Sequence, residues 1–571
     1  MKVIGVIHAD FDRGPLGTAA RLTDDLAGRS VLRRTLQQVL RACPKTRAGP
    51  ASSRSISRVL GQAPNANHLA SVHLVVQAAQ ESRARAAVDG LDVKIETHDA
   101  AAVPWRDYLI TTRKWSMDAW RGGIGGTCVF DESLHPWVLD ALARREQADG
   151  VVDIPAAAPL LDPVLLTAMI EHFGKVADDV RMTFTQSAPG LTAAIYAPSL
   201  LADLARTSQC PGRMMAYNPA EPRRDMIMLP CFCAPETEVR RARGRCMVDT
   251  QDAMQRVAAC LTELGAANND PPDAAAVSRW LLGRQWTFVP DLPAEVEIEL
   301  TTEDSLPETT LRPRGPIVGR RGPMDAAVFE RLIDELARRD DVRIVLGGFG
   351  DPLLHPEFSR LARRCRETGI FGLAVRTPAV TLDEPAIENL LDTKVDVLNV
   401  PIDAATAETY RKLHRADRFD RVQSNIEKLI EAQQARRQSQ PLVVCEMIKT
   451  RETMNEIEPF YDRWTSRTGA AVIVGPSDYA GQFSDLAVMN MAPPTRFACG
   501  RLFDRTMVLA DGRVTACDQD FKGQHAIGSL TDQSLGDLWK CDRMNAIRRS
   551  HQTATCDAMP LCRSCREWHR P

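Results

Sequence analysis

Val342-Arg-Ile-Val-Leu-Gly347-Gly-Phe-Gly-Asp351-Pro-Leu-Leu-His-Pro356 passes from a β-branched apolar run into a glycine loop and then a proline-bounded turn. Glycine has no Cβ, so a loop of this kind behind a strand lets another group approach the backbone closely. A glycine pair after a strand is, by itself, just as often a plain turn. The neighbouring sequence separates the two readings. Residues 295 to 302 alternate as a strand and 325 to 338 carry helical spacing; 342 to 346 and 358 to 368 form the second such pair. Strands follow at 371 to 375, 395 to 402, 442 to 448 and 471 to 474, with helical stretches at 385 to 391, 407 to 413, 421 to 436 and 456 to 468 between them. Six βα repeats with Val/Ile-rich strands predict a partial parallel (β/α)6 barrel of the TIM-like kind, with ligands gathered at the C-terminal ends of its strands.

The rest of the chain needs other domains. Its 571 residues exceed what one core holds, and the usual domain size suggests about three. Residues 1 to about 260 alternate short β-rich runs (3 to 7, 73 to 76, 93 to 96, 151 to 154) with helical patterns such as 30 to 42, which argues for an open α/β sheet. Asn268-Asn-Asp-Pro-Pro-Asp273 cannot continue a helix and reads as a boundary. The division that follows is 1–262, a linker at 263–293, the barrel at 294–482 and a small Cys-rich domain at 483–571. Lys plus Arg number 71 and Asp plus Glu 74, for a net charge of -3, so nothing calls for nucleic acid or an anionic membrane as partner. No run approaches the length of a membrane span, and the apolar stretch behind Met1-Lys2 is too short for a signal peptide. With 15 cysteines and no export signal, the expectation is a cytoplasmic protein with mostly reduced thiols and a minority of metal ligands.

Taken with the glycine loop, Val395-Asp-Val-Leu-Asn-Val-Pro-Ile-Asp403-Ala-Ala-Thr-Ala-Glu-Thr-Tyr410 makes residues 294–571 resemble the radical S-adenosylmethionine superfamily with an appended SPASM domain. The resemblance implies that Gly347, Gly348, Gly350 and Asp351 meet the methionine amino group of S-adenosylmethionine. Cys499, Gly512, Cys517 and the pair Cys562-Arg-Ser-Cys565 follow the SPASM pattern, with a hairpin turning at Asp511-Gly512. They imply one auxiliary 4Fe-4S cluster held by Cys499, Cys517, Cys562 and Cys565. A tetrahedral zinc site and unligated thiols are the alternatives. Cys556 is a substitute ligand, while Cys541, on an expected helix, is a packed thiol.

The departure lies behind the first barrel strand. Members of that superfamily carry C-x-x-x-C-x-x-C after an E-L-T-T-like strand end; here Glu299-Leu-Thr-Thr302-Glu-Asp304-Ser-Leu-Pro-Glu308-Thr-Thr-Leu311 puts Asp304, Glu308 and Leu311 at the three positions. No cysteine occurs between Cys260 and Cys365. Carboxylates are hard ligands and leucine is none, so the expectation is a barrel unable to cleave S-adenosylmethionine.

Residues 1–260 resemble a different family, the sugar cytidylyltransferases of the CMP-Kdo-synthetase type, which bind a nucleotide with Mg2+. Their basic phosphate loop falls on Ile7-His-Ala-Asp10-Phe-Asp-Arg13-Gly14 through Arg21, Gly28 and Arg29. Arg21 takes the usual lysine position, whereas Asp10 replaces an arginine. The magnesium-binding aspartates fall on Ala157 and Asp249, so only one carboxylate is kept, and a lone carboxylate holds Mg2+ weakly. The glycine run Trp120-Arg-Gly-Gly-Ile-Gly-Gly-Thr127 reads either as a phosphate cradle or as a plain loop, Cys231-Phe-Cys233 as structural, and the histidines as ordinary.

Three classes of function remain. One is an iron–sulfur protein whose barrel binds rather than cleaves, joined to a sugar-nucleotide-binding domain in sugar or surface-polysaccharide metabolism. Another is an active enzyme, either a nucleotidyltransferase or a barrel with unorthodox cluster ligation. The last is a scaffold of two pseudoenzymes that holds partner enzymes.

Overall fold

Val3–His8 (β1) is buried along all but its last residue, as an apolar run covered on both sheet faces should be. In the computed structural model, which describes residues 1–43, 68–99, 105–122, 124–207, 209–219, 225–265 and 271–570, the chain divides into two units. The first is Met1–Tyr217 with Glu221–Gln285; the second is Trp286–Pro571 with Asn218–Ala220. Among the described residues no helix is long and apolar enough to cross a membrane.

In the first unit β1 is followed by the short ribbon Asp25–Leu26 (β2) and Arg29–Ser30 (β3), then Leu69–Gln77 (β4), Lys94–His98 (β5), Gly150–Pro155 (β6), Met182–Phe184 (β7) and Ala194–Tyr196 (β8). The main sheet runs β5-β4-β1-β6-β8-β7. β4, β5 and β6 are parallel to β1 or its neighbour, and β8 is antiparallel to both β6 and β7. Ser30 caps the helix Val31–Arg41 by accepting from Arg33 N. The chain order reverses at β1, between β4 and β6, which puts a crevice beyond the C-terminal ends of these strands. Part of the Asn268–Asp273 stretch lies outside the described residues. Asp273 caps the helix Ala274–Arg284, whose Ala274, Val277 and Leu281 are buried in the core of this unit.

The second unit holds Glu295–Glu299 (β9), Arg343–Gly347 (β10), Gly372–Arg376 (β11), Val397–Pro401 (β12), Leu442–Ile448 (β13) and Ala471–Val474 (β14). These six are parallel and consecutive, with helices such as Ala326–Leu336 and Phe358–Glu367 between them. Arg505–Val508 (β15) then pairs in parallel with the outer side of β9, and Arg513–Thr515 (β16) and Gly528–Ser529 (β17) continue the same sheet antiparallel. The hairpin β15–β16 turns at Asp511-Gly512, where Gly512 takes φ +81°, a conformation glycine adopts without strain.

Candidate functional site

The short hairpin β15–β16 and two turns carry the four SPASM-pattern cysteines to one place. Cys499 lies in the turn before the helix Arg501–Asp504, and Cys517 lies two residues past β16. Cys562 sits in the helix Pro560–Ser564 and Cys565 caps its end. All four line a single cavity with Leu502, Met559, Leu561 and Trp568. Among the described residues no three of these sulfurs lie within 4.8 Å of one another. A tetrahedral zinc ion with Zn–S bonds of about 2.3 Å would draw its sulfurs to within about 3.8 Å, so the spacing is wider than one zinc ion asks for.

Burial pushes all four thiols up: Cys565 to about 11, Cys562 to about 12, Cys517 well above its ordinary value and Cys499 in the same direction. The neighbouring thiols add to the shift. Four thiolates in such a cavity need a positive centre between them, and a cationic iron–sulfur core supplies one. The donor set therefore fits a 4Fe-4S cluster. Cys541 precedes the helix Asp542–Gln552 as its cap rather than lying on it, with its sulfur accepting from Met544 N. Cys556 is buried, and its sulfur faces His551 instead of the cavity wall formed by the other four.

Comparison with known families places this geometry. Residues 499–566 match the SPASM family model, described as an iron-sulfur cluster-binding domain, and residues 308–463 match that of the radical SAM superfamily. The chain carries radical SAM and SPASM domains. An uncharacterized protein of Treponema pallidum is 24% identical over 254 residues, spanning 43% of this chain and 69% of that protein. The GTP 3',8-cyclase of Chlorobaculum tepidum is 31% identical over 108 residues, which are 19% of this chain and 32% of the cyclase. Among solved structures, Streptococcus suis SuiB bound to its precursor peptide SuiA aligns with 55% of this chain and 84% of its own, at 13% identity and TM-score 0.40.

The two domain types imply iron–sulfur clusters and S-adenosylmethionine. Behind β9, in the part of the chain that matches the radical SAM model, the residues present do not fit a thiolate-held cluster. The side chain of Asp304, at the first cysteine position, is 1% exposed, with Oδ2 2.8 Å from Arg314 Nε. Glu308 is exposed, and Leu311 packs with Leu413 and Ile448 in a small apolar core. Two arginines from the same loop reach inward instead. Arg314 donates to the carbonyl of Gly348 at 3.0 Å, while Arg312 donates to Asp403 at 2.8 Å and stands 3.6 Å from Glu446, which also accepts from Arg376 at 2.6 Å. Asp304, Gly348, Arg376, Asp403 and Glu446 belong to five successive strands or the loops behind them. The ion pairs thus gather at the C-terminal ends of the parallel strands.

The glycine loop is committed in the same way. Gly348 N donates to Glu297 at 2.9 Å and Phe349 N to Glu299 at 3.2 Å. A Cβ on Gly348 would meet the Glu299 side chain at 2.7 Å, and one on Gly350 would strike the carbonyl of Thr301. These glycines let β10 close against the end of β9. Asp351 is fully buried, accepts from Thr377 at 2.8 Å and Thr381 at 2.9 Å, and is pushed up to about 6 by burial against those hydrogen bonds.

The first unit has its own cavity of ≈ 730 Å³ at the C-terminal ends of β1, β4 and β6, lined by His8, Asp10, Arg13, Arg21, Arg106 and His135 among others. Arg21 lies on it and pairs with Asp24 at 3.2 Å. Gly28 lies in the β2–β3 turn and Arg29 opens β3, where it donates to Gln37; neither lines the cavity. Asp249 reaches the wall, but both of its oxygens are held by Arg245, which also grips Glu132 at 2.7 Å. A carboxylate so engaged is an ion-pair member rather than a spare magnesium ligand. Asp10 accepts from the backbone of Asp12 and Arg13 and from Gln80, so it folds the loop that bears it.

The second half of the glycine run is packed: a Cβ on Gly125 would strike Tyr108, and one on Gly126 would strike Ala216, whereas one on Gly122 would meet open space and Gly123 lies outside the described residues. The histidines are less ordinary than their spacing suggests. His8 Nε2 lies 2.9 Å from His98 Nε2, and His8 stacks on His135 with ring centroids 3.6 Å apart. They come from β1, β5 and the start of the helix Pro136–Glu146, so no local motif announces them. Their only sequence signal is position at the end of a strand or the start of a helix.

Proposed function

We propose that this chain is a one-cluster iron–sulfur protein. Its SPASM domain holds a 4Fe-4S cluster through Cys499, Cys517, Cys562 and Cys565, and its barrel has given up reductive cleavage of S-adenosylmethionine. The observation that carries this reading is a contrast within one unit. Four thiols, two buried and two half-buried, share one cavity, whereas the three first-strand positions are an ion-paired aspartate, an exposed glutamate and a core leucine. A cluster bound at the four thiols supplies one-electron transfer. The chain's own residues exclude water from it with Leu502, Leu561 and Trp568 and place Arg501, paired to Asp518 at 2.7 Å, beside the thiolates.

For the first unit the reading is binding of a sugar nucleotide in sugar or surface-polysaccharide metabolism, in the cytoplasm, together with partner enzymes. Support comes from the cavity at the switch point of an open α/β sheet, the usual place for such ligands. Nucleotidyl transfer is not part of this reading, because Asp249 is tied to Arg245 and Ala157 offers no ligand.

Anaerobic purification with counts of iron, acid-labile sulfide and zinc tests the first part. A four-iron stoichiometry with matching sulfide is expected. Twice that amount, or 5'-deoxyadenosine formed from S-adenosylmethionine by the reduced protein, would overturn the reading of the barrel, and zinc alone would overturn the cluster. For the first unit, calorimetric binding of CMP-sugars without pyrophosphate release from CTP in Mg2+ is expected.

A further inference from the structure

A buried imidazole faces the cysteine cavity with a ring nitrogen that bonds to none of the described residues. His551 lies in the last turn of the helix Asp542–Gln552, is 3% exposed and lines the same cavity as the four cysteines. Its tautomer follows from its neighbours. The backbone N–H of Cys499 donates to Nδ1 at 3.3 Å, and the thiol of Cys556 approaches the same nitrogen at 3.8 Å. Cys556 reaches that position because the chain doubles back past the helix end, with Cys556 at φ +51° and its N–H on the carbonyl of Ser550 at 2.9 Å. An Nδ1 that accepts leaves the proton of a neutral ring on Nε2. That Nε2 is buried without a hydrogen-bond partner.

An unmet buried donor is costly, and native proteins keep such a group where something else meets it. His551 faces the unfilled space that the four sulfurs line, and the group that fits those sulfurs is rich in acceptor sulfur.

We propose that His551 is a positioning residue for the SPASM cluster, its Nε2–H donating a hydrogen bond to a cluster sulfide or a ligand thiolate. Cys556 and the Cys499 amide hold the ring in the tautomer this requires. The inference rests on the one-cluster reading above. A donor to cluster sulfur favours the more negative, reduced core and so raises the reduction potential.

The experiment uses the full chain purified without oxygen, with potentiometric titration followed by electron paramagnetic resonance. His551→Phe is expected to keep the iron and sulfide content of the wild type while its midpoint moves to more negative potential. His551→Gln, which returns an N–H donor near the same place, is expected to recover part of the shift. A Phe variant with full cluster and unchanged midpoint overturns the proposal and leaves the cluster reading standing. Absence of iron from the wild type overturns both. Should the Phe variant fail to fold, the wild type labelled with 15N-histidine decides: one weakly coupled histidine nitrogen in the pulsed spectrum of the reduced cluster is expected. No histidine coupling, or the strong coupling of a nitrogen ligand, overturns the proposal.

Discussion

At position 304, where the family resemblance would place a cysteine, the carboxylate is buried against a guanidinium from its own loop. Removing one partner of a buried pair strands the other charge, so Arg314→Ala is expected to lower the unfolding free energy by about 3–5 kcal/mol in chemical denaturation. The double change Asp304→Leu with Arg314→Met should cost far less, since no charge is left alone. At the cysteines the expected split is equally sharp. Cys517→Ala abolishes the visible iron–sulfur absorbance, whereas Cys556→Ala retains it, because the Cys556 sulfur faces His551. In the first unit Asp153 is 3% exposed, with one oxygen unpartnered, and burial pushes its carboxyl from 3.8 up to about 7. An acid whose folded pKa is raised stabilises the fold fully below its unfolded value and loses that contribution as pH climbs through the folded one. Wild-type stability should therefore fall relative to Asp153→Asn by up to about 1.4 kcal/mol per pH unit between pH 4 and 7, read from denaturation midpoints. The four cysteines were legible in the sequence because their spacing is local. The inward arginines and the histidine trio were not, since their partners lie on other strands.

At the scale of elements, the strands and helices of the barrel follow the apolar periodicity closely, with residues 442–448 and 471–474 matching their expected limits. The first strand is shorter than its alternation predicts, ending at Glu299 instead of residue 302. Residues 300–302 leave the ladder because Thr302 turns to bond Arg321, and the loop behind it then folds inward. The glycine loop follows β10, and the structure gives it a packing cause that the sequence does not announce. Gly348 and Gly350 are demanded by the approach of β10 to the end of β9, whatever else the loop meets. Gly350→Ala is accordingly expected to destabilise the chain by more than the roughly 1 kcal/mol of an ordinary glycine replacement, since the obstacle is backbone and cannot swing aside. A thermal melt of that variant checks this.

For the whole molecule, each unit has its own core, and the four cysteines belong to the second. Binding that accompanies folding stabilises the fold that binds, so iron depletion should lower the protection of residues 499–566 in hydrogen exchange while the core strands β1, β4 and β6 keep theirs. Composition and periodicity indicated several α/β domains, but they gave no hint that the last one would join the sheet of the barrel. Such pairing depends on contacts between residues about two hundred positions apart, for which one sequence carries no local signal.

That pairing has a practical side. β9 would be the bare border of the half-barrel, with Val296 and Ile298 in the middle of a strand able to recruit any passing chain; β15 occupies that border along four residues. Expression of residues 294–482 alone removes this guard and is expected to give inclusion bodies, whereas a fragment running on to residue 571 keeps the border closed and is expected in the supernatant; the partition between pellet and supernatant checks this.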